Sequence, residues 1–152
     1  MVHLHVFNSR GELYLQKRPA WKDIQPGRWD TAVGGHVDYG ETIAEALRRE
    51  VREELGITDF VPGAVAVYPF RSEREYELVH VFRTVYDGEV RPSGELDGGR
   101  FWSPDEIREK PRTGCFHTQL RRRSRIDSRV IPLSAPASFP VFRPPLRLRP
   151  ES

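Results

Sequence analysis

The sequence predicts a mixed domain of α/β (α+β) class, built around one long helix, followed by a basic tail of different character. Three observations lead there. Strand-like stretches lie on both sides of a single helical stretch, the pattern of a layered domain with a mixed sheet. That helical stretch carries its own start and stop signals. The charge also breaks at one point: residues 1–110 hold 15 Lys+Arg against 20 Asp+Glu, whereas residues 111–152 hold 9 Arg against 2 acids. A chain of 152 residues is long enough for one domain with a core and short for two. The expected division is therefore a domain over 1–110 and an Arg/Pro-rich tail over 111–152.

The elements follow in order. Val2 to Phe7 and Glu12 to Arg18 alternate like strands around Asn8-Ser9-Arg10-Gly11, where Asn and Gly supply the turn. Pro19 to Arg28 is a loop broken by Pro26-Gly27. Trp29 to Val33 reads as one short strand running into Gly34-Gly35. Thr42 followed by Glu45 is a capping box, Gly56 is the stop, and Ile43, Leu47, Val51 and Leu55 recur every four residues as a buried stripe. Ala64 to Phe70 and Tyr76 to Tyr86 are rich in Val, Tyr and Phe and read as strands, as does Gly98 to Trp102. Ser103-Pro104-Asp105-Glu106 opens a short helix, with Pro in its first turn and acids at its positive end. From Pro111 onward the chain is dense in Arg, Pro and Ser with no sustained period, and an irregular tail is expected.

Composition removes several classes. No apolar run approaches the roughly 18–20 residues of a membrane helix. The alternating start lacks the layout of a signal peptide. The single cysteine, Cys115, cannot close an internal disulfide, so a cytoplasmic location is expected.

The chemistry lies on the helix. At about 100° per residue, Glu50 and Glu54 share one side and Glu53 sits beside Glu50. Glu54 borders the apolar stripe and should be partly buried. Three carboxylates so close repel one another unless a cation compensates. Arg49 supplies part of that charge, and oxygen-only ligands select a hard ion, Mg²⁺ or Mn²⁺, for the rest. Without further context an Arg/Glu-rich helix is a solvated face. Here Gly34-Gly35 lets the backbone approach a ligand closely, and Gly40 leads straight into the capped start.

The spacing from Gly35 to Glu41, then Arg49-Glu50-Val51-Arg52-Glu53-Glu54-Leu55-Gly56-Ile57, resembles the Nudix box, G-x5-E-x7-R-E-U-x-E-E-x-G-U, at every defined position. Seven such identities arise by chance on the order of once in 10⁸–10⁹ trials at ordinary residue frequencies. The resemblance implies a Nudix-type α/β/α sandwich with a mixed sheet. It also implies a hydrolase that cuts a diphosphate linkage in a nucleoside-diphosphate-type substrate by water attack on phosphorus. Glu53 and Glu54 would be the main metal ligands, with the Gly34 carbonyl completing the protein's share. Glu50 would be a further ligand or the base that orients water. Arg49 would hold the glutamates, and Glu41 would pair across the loop. Many family members recruit one more carboxylate from a later loop. Glu95 and Asp97 are the candidates, Glu95 the favoured one. Gly35 and His36 are candidate substrate contacts, His36 either on phosphate or as a structural histidine. Gly56 is structural.

The stretch His3 to Asp38, notably Trp29-Asp30-Thr31-Ala32-Val33-Gly34-Gly35-His36-Val37, resembles a bacterial Nudix subgroup related to isopentenyl-diphosphate isomerase. Those isomerases need a cysteine in the strand leading to the box, and none stands there, so hydrolysis is favoured and isomerisation is the alternative. Glu73 stands where ADP-ribose-cleaving members have a proline. Trp21, Trp29, Tyr39, Tyr68 and Phe70 could stack on a base, with core packing the favoured role for most. A non-catalytic RNA-binding or regulatory module is supported only by the Arg-rich tail. The expected partner is a small diphosphate; no membrane or nucleic acid is expected, and a homodimer is left open. Codons that fit His117-Thr118-Gln119-Leu120-Arg121 read one base later as the Thr-Pro-Asn-Phe and acid of the subgroup. That suggests a frame-shifted ending from about His117. The subgroup's earlier start suggests that the N-terminal beginning is missing as well.

Overall fold

The structure is a computed structural model that describes residues 1–110 except 22, 24, 25, 72, 74 and 75. The tail, with Cys115 and the suggested frame shift, lies outside the described residues. In chain order the elements are β1 (Val2–Phe7), β2 (Leu13–Lys17), β3 (Trp29–Thr31), β4 (Val33–Gly35), α1 (Ile43–Leu55), β5 (Gly63–Arg71), β6 (Tyr76–Val85), β7 (Gly99–Trp102) and α2 (Pro104–Glu109). The strands form a seven-stranded mixed sheet in the order β3-β2-β1-β6-β5, with β4 on β1 and β7 on β2. Among the described residues only the β1–β6 pairing is parallel.

Side-chain alternation divides the sheet into two faces. Val2, Leu4 and Val6 of β1 and Tyr14 of β2 join Leu47, Val51 and Leu55 of α1 in the larger core. Leu13 and Leu15 point the other way, into a smaller core with Trp102, against which Ile107 of α2 packs. The mixed sheet between two helices is thus the expected α+β sandwich, its second layer among the described residues being the short α2. No helix of the described residues is long and apolar enough to cross a membrane.

The helix boundaries follow from local chemistry. Thr42 and Glu45 make both bonds of the capping box, and Gly56 ends α1 at φ 67°, a left-handed position that glycine takes without a Cβ penalty. Two carbonyls left over at the C-terminal end, those of Leu55 and Glu54, accept from the backbone N–H groups of Arg91 and Ser93, which ties the later loop to α1. Ala46 is fully buried and belongs to the packed face beside the expected stripe, whereas Ile43 is only half-buried.

Several strand ends differ by one residue from the sequence reading, as at Gly63–Arg71, Tyr76–Val85 and Gly99–Trp102, and two differences have a clear cause. The expected strand from Glu12 starts at Leu13, because the Glu12 N–H is taken by the Asn8 side-chain oxygen inside the turn. The stretch Trp29 to Val33 is two strands, not one. β3 pairs with β2, whereas β4 turns at Ala32 to pair with β1, placing Gly34 opposite His3 and Gly35 opposite Val2.

Candidate active site

The site forms where α1 crosses the end of β4. Val33 and Gly35 face the helix and Gly34 faces away, as pleat alternation requires. A Cβ on Gly35 would overlap the Glu50 carboxyl, and a Cβ on Gly34 would crowd the His3 imidazole at 3.0 Å. The two glycines therefore let the strand pass between a helix carboxylate and the histidine on the other face. Gly35→Ala should displace Glu50 from Arg49. The expected outcome is a loss of about 1–3 kcal/mol from overpacking and at least about tenfold in kcat. A thermal melt and initial rates check it, and unchanged rates would contradict this placement.

Arg49 organises the outer carboxylates. Its Nε and one terminal nitrogen donate to the two oxygens of Glu41 at 2.9 and 3.0 Å, a bidentate pair. The other terminal nitrogen donates to Glu50 at 2.9 Å and to Glu53 at 3.3 Å. A further bond goes to the His36 carbonyl at 3.1 Å, joining the box loop to the helix. The side-chain bonds from Arg49, with a backbone N–H bond from Asp38, hold the Glu41 carboxyl below its ordinary value. Glu41 in turn, followed by Glu50, pushes the guanidinium pKa higher still.

Glu54 behaves differently. It is half-buried against the sheet, and its Oε2 accepts from the Gly34 N–H at 3.3 Å and from Gln16 Nε2 at 3.4 Å. Both donors are neutral. Burial pushes its pKa up to about 8, the Gly34 bond opposes this, and the carboxylates of Glu50 and Asp30 add to it.

The carboxylates do not converge as the sequence suggested. Glu50 and Glu53 turn to Arg49, whereas Glu54 turns to the sheet, and no three metal-binding side chains are gathered into a cluster among the described residues. The donor set nonetheless fits a hard cation. Glu54 is a half-buried carboxylate beside two others, with no positive side chain among the described residues bonded to it, and Arg49 already satisfies Glu41.

The remaining candidates separate by position. Asp97 pairs with Lys17 at 3.2 Å. Glu95 is exposed and makes no ion pair among the described residues, and the loop that carries it is anchored to Glu54 through Ser93. The His36 imidazole lies 3.0 Å from Glu77, a β6 residue on the sheet face opposite α1, so it points away from the helix carboxylates. Its side chain is 70% exposed there. Trp29 packs edge-on against Trp102, and Tyr68 and Phe70 are half-buried. Trp21 and Tyr39 stay exposed. Tyr39 lines an open cleft of about 570 Å³ with Arg48, Arg49 and Arg52 and the carboxylates of Asp38, Glu41 and Glu45, next to the Arg49 clamp.

Gln16 and Asp30 were missed in the sequence. They are register partners across β2 and β3, and Arg18 holds Asp30 at 3.4 Å. The signal was present: Tyr14 faces α1, so Gln16, two residues on, must face it too.

The NUDIX domain model matches residues 1–120, past the boundary expected at 110. An uncharacterized Nudix hydrolase from Pseudomonas aeruginosa is 38% identical over 71% of this chain and 64% of its own length. The chain thus spans just under two thirds of that relative. An isopentenyl-diphosphate Delta-isomerase from Burkholderia multivorans is 36% identical over 78% of this chain and 74% of its own length. Among solved structures, a MutT protein from Methanosarcina mazei superposes with a TM-score of 0.71 at 27% identity, covering 85% of this chain and 91% of the other.

Proposed function

From the premise that the chain belongs to the Nudix family, we propose that it is a hydrolase cleaving a diphosphate linkage in a nucleoside-diphosphate-type substrate, with Mg²⁺ or Mn²⁺, in the cytoplasm. The observation that carries the reading is Glu54, a half-buried carboxylate facing Gly34 beside Glu50 and Asp30. Glu53 and Glu54 would hold the ion, with Glu50 as a further ligand or the group that orients water and the Gly34 carbonyl as a backbone ligand. A bound ion supplies neutralisation of charge on the phosphate oxygens and acidifies a water. Arg49 keeps Glu50 and Glu53 aimed from a helix that Glu41 fixes to the loop. Gly35 admits the Glu50 carboxyl against the strand. Glu95 is the exposed carboxylate available to a proton transfer. The cleft beside Tyr39 offers an aromatic face and the arginines for the part of the substrate beyond the diphosphate.

The Burkholderia multivorans relative favours a second reading, isomerisation of a prenyl diphosphate. The sequence argues against it: no cysteine stands in the stretch Trp29 to Val33 that leads to the box. A panel of nucleoside, sugar and prenyl diphosphates with Mg²⁺ or Mn²⁺, followed by product analysis in ¹⁸O water, separates the readings. Hydrolysis places label on a phosphate product. Isomerised prenyl diphosphate without cleavage would replace hydrolysis by the second reading. Salt-sensitive RNA binding without phosphate release would make the chain a non-catalytic module.

A further inference from the structure

We propose that Gln16 is a positioning residue that holds one oxygen of Glu54 and so presents the other to the cation. The inference rests on the reading of Glu54 as a cation ligand. Gln16 lies on β2, is 7% exposed and faces α1 together with Tyr14. A buried amide requires partners, and Gln16 Nε2 donates to Glu54 Oε2 at 3.4 Å. The Gly34 N–H reaches the same oxygen at 3.3 Å. Two donors from two different strands therefore fix Oε2, and among the described residues no donor reaches Oε1.

The residue type matters as much as the place. Leu13 and Leu15 show that β2 accepts apolar side chains, but these two point into the smaller core on the other face. An apolar residue at 16 would leave the half-buried carboxylate with one donor. A carboxylate there would be one more like charge beside Glu54, Glu50 and Asp30. A lysine or arginine would neutralise Glu54 and occupy the role of the cation. A neutral donor orients the carboxylate and leaves its charge uncompensated. The register adds to this: Gln16 is opposite Asp30 on one side and Gly99 on the other, so β3 and β7 both hold its strand beneath the helix.

The test uses the full chain and Mn²⁺ as the probe, with binding followed by electron paramagnetic resonance and folding by circular dichroism melts. Gln16→Met keeps length and volume but removes the donor. Its Mn²⁺ Kd should weaken by about tenfold or more, its melt should stay close to that of the unaltered chain, and kcat should recover to within a few-fold at saturating Mn²⁺. Gln16→Lys should weaken Mn²⁺ binding further, by about a hundredfold, because its ammonium replaces the ion. A Gln16→Met variant that binds Mn²⁺ as tightly as the unaltered chain would overturn the assignment, as would a Gln16→Lys variant that binds no more weakly than Gln16→Met. Glu54→Gln serves as the control. If it loses Mn²⁺ while Gln16→Met does not, only the role of Gln16 fails. If it keeps Mn²⁺ affinity, the reading of Glu54 as a ligand fails with it.

Discussion

Glu53→Gln should lower kcat by about 10²–10³-fold while leaving the melting temperature almost unchanged. Glu53 is more than half exposed, and among the described residues its side chain is held only by the 3.3 Å contact with Arg49 one helical turn back. Removing one exposed charge of that kind changes stability by no more than about 0.5 kcal/mol. The helix also keeps its other supports: the Thr42–Glu45 capping box, the buried Ala46, Leu47, Val51 and Leu55, and the bidentate Arg49–Glu41 pair. A large loss of rate with an unaltered melt therefore assigns Glu53 to chemistry rather than to folding. Glu41→Gln should show the opposite balance, since its carboxylate serves Arg49 and the Asp38 N–H rather than a ligand. Steady-state rates under saturating Mg²⁺, read beside thermal melts, distinguish the two. A fully active Glu53→Gln enzyme would remove the hydrolase assignment.

Much of this was readable from the sequence because the determinants are local. Capping, the four-residue stripe and the glycine stop are set within a few residues of one another, and α1 runs from Ile43 to Leu55 as those signals require. The partial burial expected of Glu54 follows from its place beside the stripe. What escaped depends on which strands meet. Trp29 to Val33 is a uniform stretch of sequence, and nothing within it says that Ala32 lies between a β2 partner and a β1 partner. The direction of His36 needed one further step of alternation: once Gly35 faces the helix, the next side chain faces away, toward Glu77. The convergence of Glu50, Glu53 and Glu54 was also too simple a picture. A helix wheel places them near one another but cannot show that Arg49 draws two of them outward while Gln16 and the Gly34 N–H hold the third against the sheet.

That third carboxylate carries the second large effect. Without a cation, Glu54 titrates at about 8 in the folded chain, raised first by burial and then, against the Gly34 bond, by Glu50 and Asp30; the ordinary value of the group is 4.5. The folded state binds this proton more tightly than the unfolded chain does. The contribution of Glu54 to stability is therefore fully present below 4.5 and is lost as pH rises through about 8. In EDTA, Glu54→Gln should match the unaltered chain near pH 4 and exceed it by about 1–3 kcal/mol at pH 8.5, because the amide never acquires the buried charge. Metal binding runs against the same proton. A divalent ion that takes the Glu54 carboxylate must expel it, so Mg²⁺ binding should release about one proton per site at pH 6.5 and almost none at pH 9. Calorimetry in two buffers of different ionisation enthalpy counts that proton directly. Equal stability differences at pH 4 and pH 8.5, or no proton release at pH 6.5, would mean that the charge of Glu54 is already compensated in the cation-free fold, and the argument that a cation is needed to compensate it would fail.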